Sequence, residues 1–440
     1  MPELPQAFVS RVADSLGEAL PAFLSAMADP PLRGLRLNPF KPVPEGCLPG
    51  LGGAVPWEPT GRFLAADSPV GSQPLHEAGA CYIQEPSAML PAAVLAPRPG
   101  EKVLDLCAAP GGKSTQLGLR LVEEGLLVCN EIVPKRAQIL SGNVERLGLT
   151  RCLVISERPD ALVARWPGGF DAVLADAPCS GEGMFRRNPE AIQEWSKAHA
   201  AGCAARQAEI LDSAAALTRP GGRLVYSTCT FNPAENEDNV KAFLRRHPDF
   251  SLTPFALPGV DAPEGMATLW PHLYPGEGQF AALMKRAGDA PAFLPPDASL
   301  PAPDRAALRT LSAFAPDAPH PDALLGQTLT CLPGCPDLRG LRVLRRGLHL
   351  GAAKDGRFVP DHAWALAVTP PALPRVSLTE AEARRYLAGE TLAQDAPNGW
   401  AFATVEGLPL GWVKLVNGTA KNHYPKGLRR NLSARREEDL

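Results

Sequence analysis

Between Val103 and Lys285 short apolar runs alternate with stretches of helical spacing, and this alternation constrains the fold more than any other feature of the chain. VLDL (Val103–Leu106) ends in a Gly-Pro loop, and Ser114–Glu124 follows with helical spacing. LLVC (Leu126–Cys129) precedes a helical stretch, Lys135–Leu147, which Gly148 stops. CLVI (Cys152–Ile155) and AVLA (Ala172–Ala175) read as buried strands. A helix near Ala204–Leu217, a turn at Pro220-Gly221-Gly222 and the strand RLVYST (Arg223–Thr228) come next. Repeated β-α units with uniformly apolar strands predict an α/β fold, a doubly wound and mostly parallel sheet covered on both faces. Ligands bind beyond the carboxyl ends of such strands, so the chemistry is expected in the loops that follow them.

The remainder of the 440 residues exceeds one compact core, and roughly three domains are expected at ~150 residues each. Residues 1–97 read as a small N-terminal module and 98–288 as the α/β core. A Pro-, Ala- and Asp-rich linker over 289–322 carries one helix at Asp304–Leu311, and 323–440 is a β-rich C-terminal region. Four β-like runs mark that region: LRVLRRGLHLGAA, AWALAV, WAFATV and LPLGWVKLV. The 48 prolines, about twice the usual ~5%, favour loops over long helices. Net charge is only −3, yet from Gly411 to Arg436 seven Lys or Arg residues occur with no acid, which predicts a local anion-binding face. No export signal or apolar run of ~18 residues is seen. The ten scattered cysteines suit a reducing cytoplasm rather than a disulfide framework. Cys331 and Cys335 form a lone C-x-x-x-C without a partner pair, so no metal site is expected.

The loop after the first strand, DLCAAPGGKS (Asp105–Ser114), brings backbone close to a ligand and opens a helix whose first N–H groups are free. It lacks the G-x-G-x-x-G of a dinucleotide site. It misses the nucleoside-triphosphate loop G-x-x-x-x-G-K-[ST] only in having Cys107 for the first Gly. Glu131 ends the second strand, where an acid accepts hydrogen bonds from both hydroxyls of a ribose. Together these favour S-adenosylmethionine, with a nucleoside triphosphate and a plain strand-helix turn as the alternatives. Two more loops each place a cysteine beyond a strand: DAPCSGEGMF (Asp176–Phe185) and STCTF (Ser227–Phe231). Buried Cys is commonly a small hydrophobe, the reading given to Cys107, Cys129 and Cys152. Cys179 and Cys229 lie instead in polar loops on the ligand side.

DLCAAPGGK, NEIVPKR, DAPCSGEGMFR and YSTCTFNPAENE, occurring in this order, resemble the Nol/Nop/Sun family of RNA cytosine carbon-5 methyltransferases. YIQEPSAMLP (Tyr82–Pro91) and LWPHLYPGEGQF (Leu269–Phe280) are similar to family segments bracketing the core. GWVKLVNGTAKNHYPKGLRRN (Gly411–Asn431) resembles a terminal PUA-like RNA-binding module. The bacterial branch with this layout acts on small-subunit (16S) ribosomal RNA. The resemblance implies a Rossmann-like S-adenosylmethionine-dependent core between an N-terminal RNA-binding module and a PUA-like end. It implies 16S rRNA, free or in the 30S subunit, as partner.

The implied chemistry explains two cysteines beside an acid. Carbon 5 of cytosine is a poor nucleophile until a thiolate adds at carbon 6. By resemblance Cys229 is that nucleophile and Cys179 assists breakdown of the adduct. DNA cytosine methyltransferases use a PC-motif cysteine, so the reverse assignment is the rival, and chemistry alone does not rank the two. Asp176 is expected near ring N3 or the exocyclic amine. Lys113 is a candidate for the positive charge that favours a thiolate, or for a partner of Asp176.

The cofactor set carried over is Cys107, Ala108, Ala109, Pro110, Gly111, Gly112 and Lys113 for the methionine end, Glu131 for the ribose, and Asp176 near the sulfonium. Arg136, one turn past Glu131, is either an adenosine contact or a solvent-exposed helix residue. After the third strand SERPD (Ser156–Asp160) replaces the Asp frequent in relatives, leaving Glu157, Asp160 or backbone as that contact.

A base inside a duplex does not present carbon 6, so the target is single-stranded or flipped out. Phe185, Arg186 and Arg187 are expected to stack on it, unless they are only a helix N-terminal surface. Lys421, His423, Lys426, Arg429 and Arg430 are expected on phosphates. Arg33, Arg36 and Lys41 extend that track or form an ordinary solvated face. Transfer RNA as substrate and a non-catalytic ribosome assembly factor are the competing functions. For the latter, degenerate cysteine loops are expected, whereas both are intact here.

Overall fold

The computed structural model describes residues 4–430 apart from 298 and 333. Its centre is one sheet built on β1 (Lys102–Asp105), β2 (Leu126–Asn130), β3 (Cys152–Ile155), β4 (Phe170–Asp176) and β5 (Thr218–Thr228). These five are parallel to their neighbours. β6 (Phe250–Leu252), β7 (Gln279–Arg286) and β8 (Val343–Arg346) flank them antiparallel, in the order β6-β7-β5-β4-β1-β2-β3-β8. Alternate residues face opposite sides of a strand, so Leu104, Val128, Leu153 and Val173 enter one apolar layer. Val103, Leu127, Cys129, Cys152 and Leu174 enter the other. Strand order reverses between β1 and β4, the crevice where such sheets take ligands.

Local structure departs from the sequence expectation where tertiary contacts intervene. The helix after β1 covers only Gly112–Gly118. Leu121 N donates to the Gly118 carbonyl and Arg120 N to that of Leu117, so the chain leaves through tight i→i+3 turns. Pro220–Gly222 is absorbed into β5, and a register shift against β4 accommodates it. The helix before β5 starts earlier, at Lys197, because Ser196 caps it by accepting from His199 N at 3.0 Å.

In the N-terminal region, α1 (Gln6–Leu16) and α2 (Leu20–Ala28) precede a four-stranded antiparallel sheet formed by 51–54, 61–64, 33–37 and 81–83. The two helices pack on the core: Phe8, Val12, Phe23 and Met27 bury against Phe185, Ile192, Trp195 and Phe231.

The C-terminal region differs from expectation in three ways. The helix expected in the linker is Arg305–Phe314, capped by Asp304, and its Ala307 and Leu311 bury against Leu348, Leu350 and Phe358. It is part of a packed unit rather than a tether. AWALAV forms no strand: His362–Leu366 is a helix capped by Asp361 and buried on every side, so no polar face marks its period. LRVLRRGLHLGAA splits at Gly347 (φ 57°), where a Cβ would sit 2.2 Å from the Cys331 carbonyl oxygen. Leu348–Lys354 stays in a four-stranded local sheet, whereas β8 crosses to pair with β3 of the core. WAFATV and LPLGWVKLV are adjacent strands of the last, five-stranded sheet. Cys331 and Cys335 are buried in apolar layers. Among the described residues, no helix is long and apolar enough to cross a membrane.

Candidate active site

The loop after β1 closes tightly enough that the glycines are needed. Gly111 sits at φ 117°, and a Cβ there would lie 3.2 Å from Leu140. Its frame is anchored outward: Ala108 N donates to the Asn130 carbonyl at 2.8 Å, and Arg136 and Asn143 donate to the carbonyls of Ala109 and Pro110, both at 2.9 Å. Beneath the loop lies Asp105, a residue the motif reading passed over. Its Oδ2 accepts from Ser114 Oγ at 2.6 Å, while its buried Oδ1 has no hydrogen-bond partner among the described residues. Burial raises its carboxyl to about 7, with the charge of Asp176 adding to the shift and the Ser114 bond opposing it. Glu131 is also buried: Oε1 accepts from Val133 N at 2.9 Å and Oε2 pairs with Arg136 at 3.1 Å. Arg136 therefore joins the loop after β1 to Glu131 while its own side chain stays half exposed.

The PC and TC loops leave adjacent parallel strands, with Asp176 in register with Ser227. Cys179 Sγ and Cys229 Sγ are 3.3 Å apart. Hydrogen bonding to the Cys229 sulfur, followed by burial, drives the Cys179 thiol well above its usual range. Asp176 is held by three donors: Lys113 Nζ at 2.7 Å, Ser227 Oγ at 2.6 Å and Gln279 Nε2 at 3.2 Å. Burial disfavours the Lys113 ammonium, but the Asp176 carboxylate and the neighbouring Cys229 outweigh it and raise its pKa. Cys107 is different: burial first, then nearby acids, raise its thiol far up, as suits a wall residue.

Two buried glutamates fix these loops, and motif reasoning missed both. Glu235 accepts from Ser180 N and Gln207 Nε2, each at 2.9 Å, from Asn232 Nδ2 at 3.2 Å, and from the Ser180 hydroxyl. It thereby ties the PC loop to the segment behind the TC loop. Glu182 accepts from Arg11 of α1 at 2.6 Å, Trp195 Nε1 at 2.9 Å and Phe231 N at 3.1 Å. The available signal was an acid in a loop otherwise of small residues, SGEG and NPAENE.

Phe185 and Arg186 do not form an RNA surface. Phe185 is fully buried, edge-on to Phe8. Arg186 is buried on Glu277 at 2.8 Å and donates to the carbonyls of Ala26 and Gly276. Neither the expected stacking on the target base nor a helix N-terminal surface holds for these two, because the N-terminal helices cover them. Arg187 is half buried and donates to the Leu32 carbonyl. The N-terminal trio is also structural. Arg36 is buried on Gln84, Gly112 and Thr115, and Arg33 holds the carbonyls of Ala66 and Ser68. Lys41 is buried on two carbonyls, and burial lowers its ammonium to about 7.

After β3, Asp160 points to solvent and pairs with Arg158, and the Glu157 carboxylate accepts from Arg342 N. Lys421, His423, Lys426, Arg429 and Arg430 are exposed. Beside them Lys414 lies 5.6 Å over the Trp400 ring, and the His423 ring is 4.4 Å from it. Arg435 and Arg436 lie outside the described residues.

A doubly wound sheet with a small-residue loop after β1, an acid ending β2 and an unsatisfied buried carboxylate beneath defines an S-adenosylmethionine-dependent methyltransferase. The residues fit that cofactor: Asp105 Oδ1 is an acceptor awaiting a cation, and the Glu131 carboxylate is the acceptor expected for a diol. The 16S rRNA methyltransferase RsmB/F family matches residues 92–285. The RsmF N-terminal domain matches 4–86, the first C-terminal domain of the RsmF rRNA methyltransferase 312–368, and the RsmF PUA domain 374–430. Ribosomal RNA small subunit methyltransferase F of Klebsiella pneumoniae is 33% identical, with 97% of each chain covered. Its namesake from Escherichia coli is 32% identical over the same shares. A methyltransferase homolog protein from Pyrococcus horikoshii has a similar structure (TM-score 0.53, 28% identity, 64% of this chain and 95% of that one). NSun6 from Pyrococcus horikoshii with SFG shares the fold (TM-score 0.53, 20% identity, 65% and 99%). The chain belongs to the RsmB/F family, with the domain set of its RsmF branch.

Proposed function

We propose that this protein methylates carbon 5 of cytosine in 16S ribosomal RNA through a covalent cysteine–RNA adduct. The observation that carries the reading is the pair of thiols 3.3 Å apart at the ends of adjacent strands, beside the Lys113–Asp176 ion pair. Two sulfurs there exceed what simple binding of a base needs, and they match a reaction in which one thiol adds and another group helps it leave.

Cys229, as thiolate, forms a bond to carbon 6, and the ring electrons move onto carbon 5. The Lys113 ammonium, paired with Asp176, neighbours Cys229. Asp176, fixed by three donors, accepts a hydrogen bond from the exocyclic amine of the ring, and the Lys113 ammonium paired with it offsets the negative charge that addition places on the ring. S-adenosylmethionine supplies an electrophilic methyl group when bound. Carbon 5 takes that methyl and then gives up its proton to solvent water; the electrons of the carbon 5–hydrogen bond form the carbon 5–carbon 6 double bond, and the carbon 6–sulfur bond breaks to return the Cys229 thiolate. Cys179, adjacent to the departing sulfur, promotes this last step. Asp105 and the loop from Cys107 through Lys113 hold the methionine end, and Glu131, supported by Arg136, holds the ribose. The relatives named ribosomal RNA small subunit methyltransferase F support 16S rRNA as the substrate. The exposed Lys421, Lys426, Arg429 and Arg430 supply phosphate contacts.

The direct test is trapping. Cys179→Ala, incubated with unmodified 16S RNA and S-adenosylmethionine, is expected to run on a denaturing gel as a protein–RNA adduct, whereas Cys229→Ser gives none. An adduct that persists in Cys229→Ser would exchange the roles of the two thiols.

A further inference from the structure

We infer that the C-terminal region completes the cofactor pocket, the backbone of Arg342 serving as the positioning element for the loop after β3. That loop, 156–158, stands next to Glu131, whose N–H donates to the Ile155 carbonyl at 3.2 Å. It therefore walls the side of the crevice away from Asp176, where the base attached to a Glu131-bound ribose must lie. Its position is not set within the core alone.

Arg342 N donates to the Glu157 carboxylate at 2.5 Å, and the Arg342 carbonyl accepts from Ser156 N at 2.9 Å. The backbone of this one residue holds the loop through both its N–H and its carbonyl, 185 residues away in sequence. The grip continues into β8, where Val343 pairs with Ile155. From β8 the Arg345 guanidinium reaches Ser141 Oγ at 3.2 Å and the Glu145 carboxylate. Both belong to α3 (Pro134–Arg146), the helix that carries Arg136 against Glu131. Inside the core, Asn130 completes the lock. Its Oδ1 accepts from Glu157 N at 3.0 Å, and its Nδ2 donates to the Glu157 and Leu106 carbonyls at 3.0 and 3.2 Å. The loops after β1, β2 and β3 are thus one hydrogen-bonded frame whose outer edge the C-terminal region holds.

This gives Glu157 a role distinct from a ligand contact. One of its carboxylate oxygens is engaged by a backbone N–H of another region, and through that bond it acts on the cofactor by way of the loop it fixes. Removing that acceptor, or the N–H it receives, frees the same wall.

The test is isothermal titration of the full-length protein with S-adenosylhomocysteine. Glu157→Ala and Arg342→Pro are each expected to raise Kd about tenfold, the loss of one charge-assisted hydrogen bond. The double variant is expected to be no weaker than the worse single, because both remove one interaction. Glu157→Gln keeps an oxygen acceptor and is expected to restore Kd to within about twofold of wild type. In turnover the loss falls on KM for S-adenosylmethionine, with kcat and KM for RNA unmoved. If Arg342→Pro fails to fold, Arg345→Ala loosens β8 from α3 without touching the loop and is expected to raise Kd in the same direction. An unchanged Kd in Arg342→Pro or Arg345→Ala, with Glu157→Ala weakened, overturns the inference by making Glu157 a direct contact. An unchanged Kd in all of them overturns it outright.

Discussion

Cys179 and Cys229 meet across the ends of two neighbouring parallel strands, sulfur to sulfur at 3.3 Å. Fifty residues separate them in the chain, yet the register of β4 on β5 fixes their separation. The two thiols are not equivalent. Cys229 lies within the field of Lys113, whereas the contact with the Cys229 sulfur and burial hold Cys179 in its protonated form.

Removing the nucleophile is expected to separate binding from turnover. Cys229→Ser should lose methyl transfer by at least about a thousandfold, as alcohols of ordinary pKa do not ionise here. Its Kd for S-adenosylhomocysteine, measured calorimetrically, should remain within about twofold of wild type, since the cofactor loops stay intact.

Cofactor affinity is expected to depend on pH through Asp105. Its carboxyl, raised to about 7, is protonated below that pH and does not pair with the cofactor ammonium. Binding therefore strengthens as pH rises to about 7 and levels off above it, losing about tenfold per unit on the acid side. Titrations with S-adenosylhomocysteine from pH 5 to pH 8.5 (a range of about that span) read this directly. Asp105→Asn should bind more weakly with a flat profile.

How much of this was legible differs sharply between the two kinds of site residue. The cofactor and cysteine loops could be read because each follows a short apolar strand and is marked by Gly or Pro, and strand ends place their loops on one edge whatever packs elsewhere. Phe185 and Arg186 were misread because their environment comes from Phe8, Ala26 and Glu277, partners distant in the chain that leave no local pattern. The same holds for β8. Val343–Arg346 has an ordinary strand composition, and nothing in it signals the edge of the core sheet over the local one. Glu235 and Glu182 lay inside quoted motifs, but that they brace rather than react follows only from their four and three donors.

That bracing role sets a further expectation. Glu235→Ala removes the shared acceptor of four buried hydrogen bonds and should lower stability by about 2–4 kcal/mol. Urea unfolding measures this loss. In the remaining folded protein, the yield of trapped RNA adduct should fall while S-adenosylhomocysteine binding holds.

The basic face at the C-terminal end should act through salt. Replacing Lys421, Lys426, Arg429 and Arg430 with Ala is expected to weaken RNA binding and to flatten the log Kd against log salt slope by up to about 0.7–0.9 per lost phosphate contact. Filter binding between about 50 and 200 mM salt gives both quantities. A fall in affinity at constant slope would assign these residues to packing.

The central claim, that cytosine carbon 5 is the atom methylated, is most directly tested with S-adenosylmethionine labelled in its methyl group. Unmodified small subunits, free 16S RNA and transfer RNA are offered in parallel and digested to nucleosides. Label in 5-methylcytidine from a ribosomal fraction, absent with Cys229→Ser, is the predicted result. Label in any other nucleoside would contradict the account, and 5-methylcytidine only from transfer RNA would contradict its substrate.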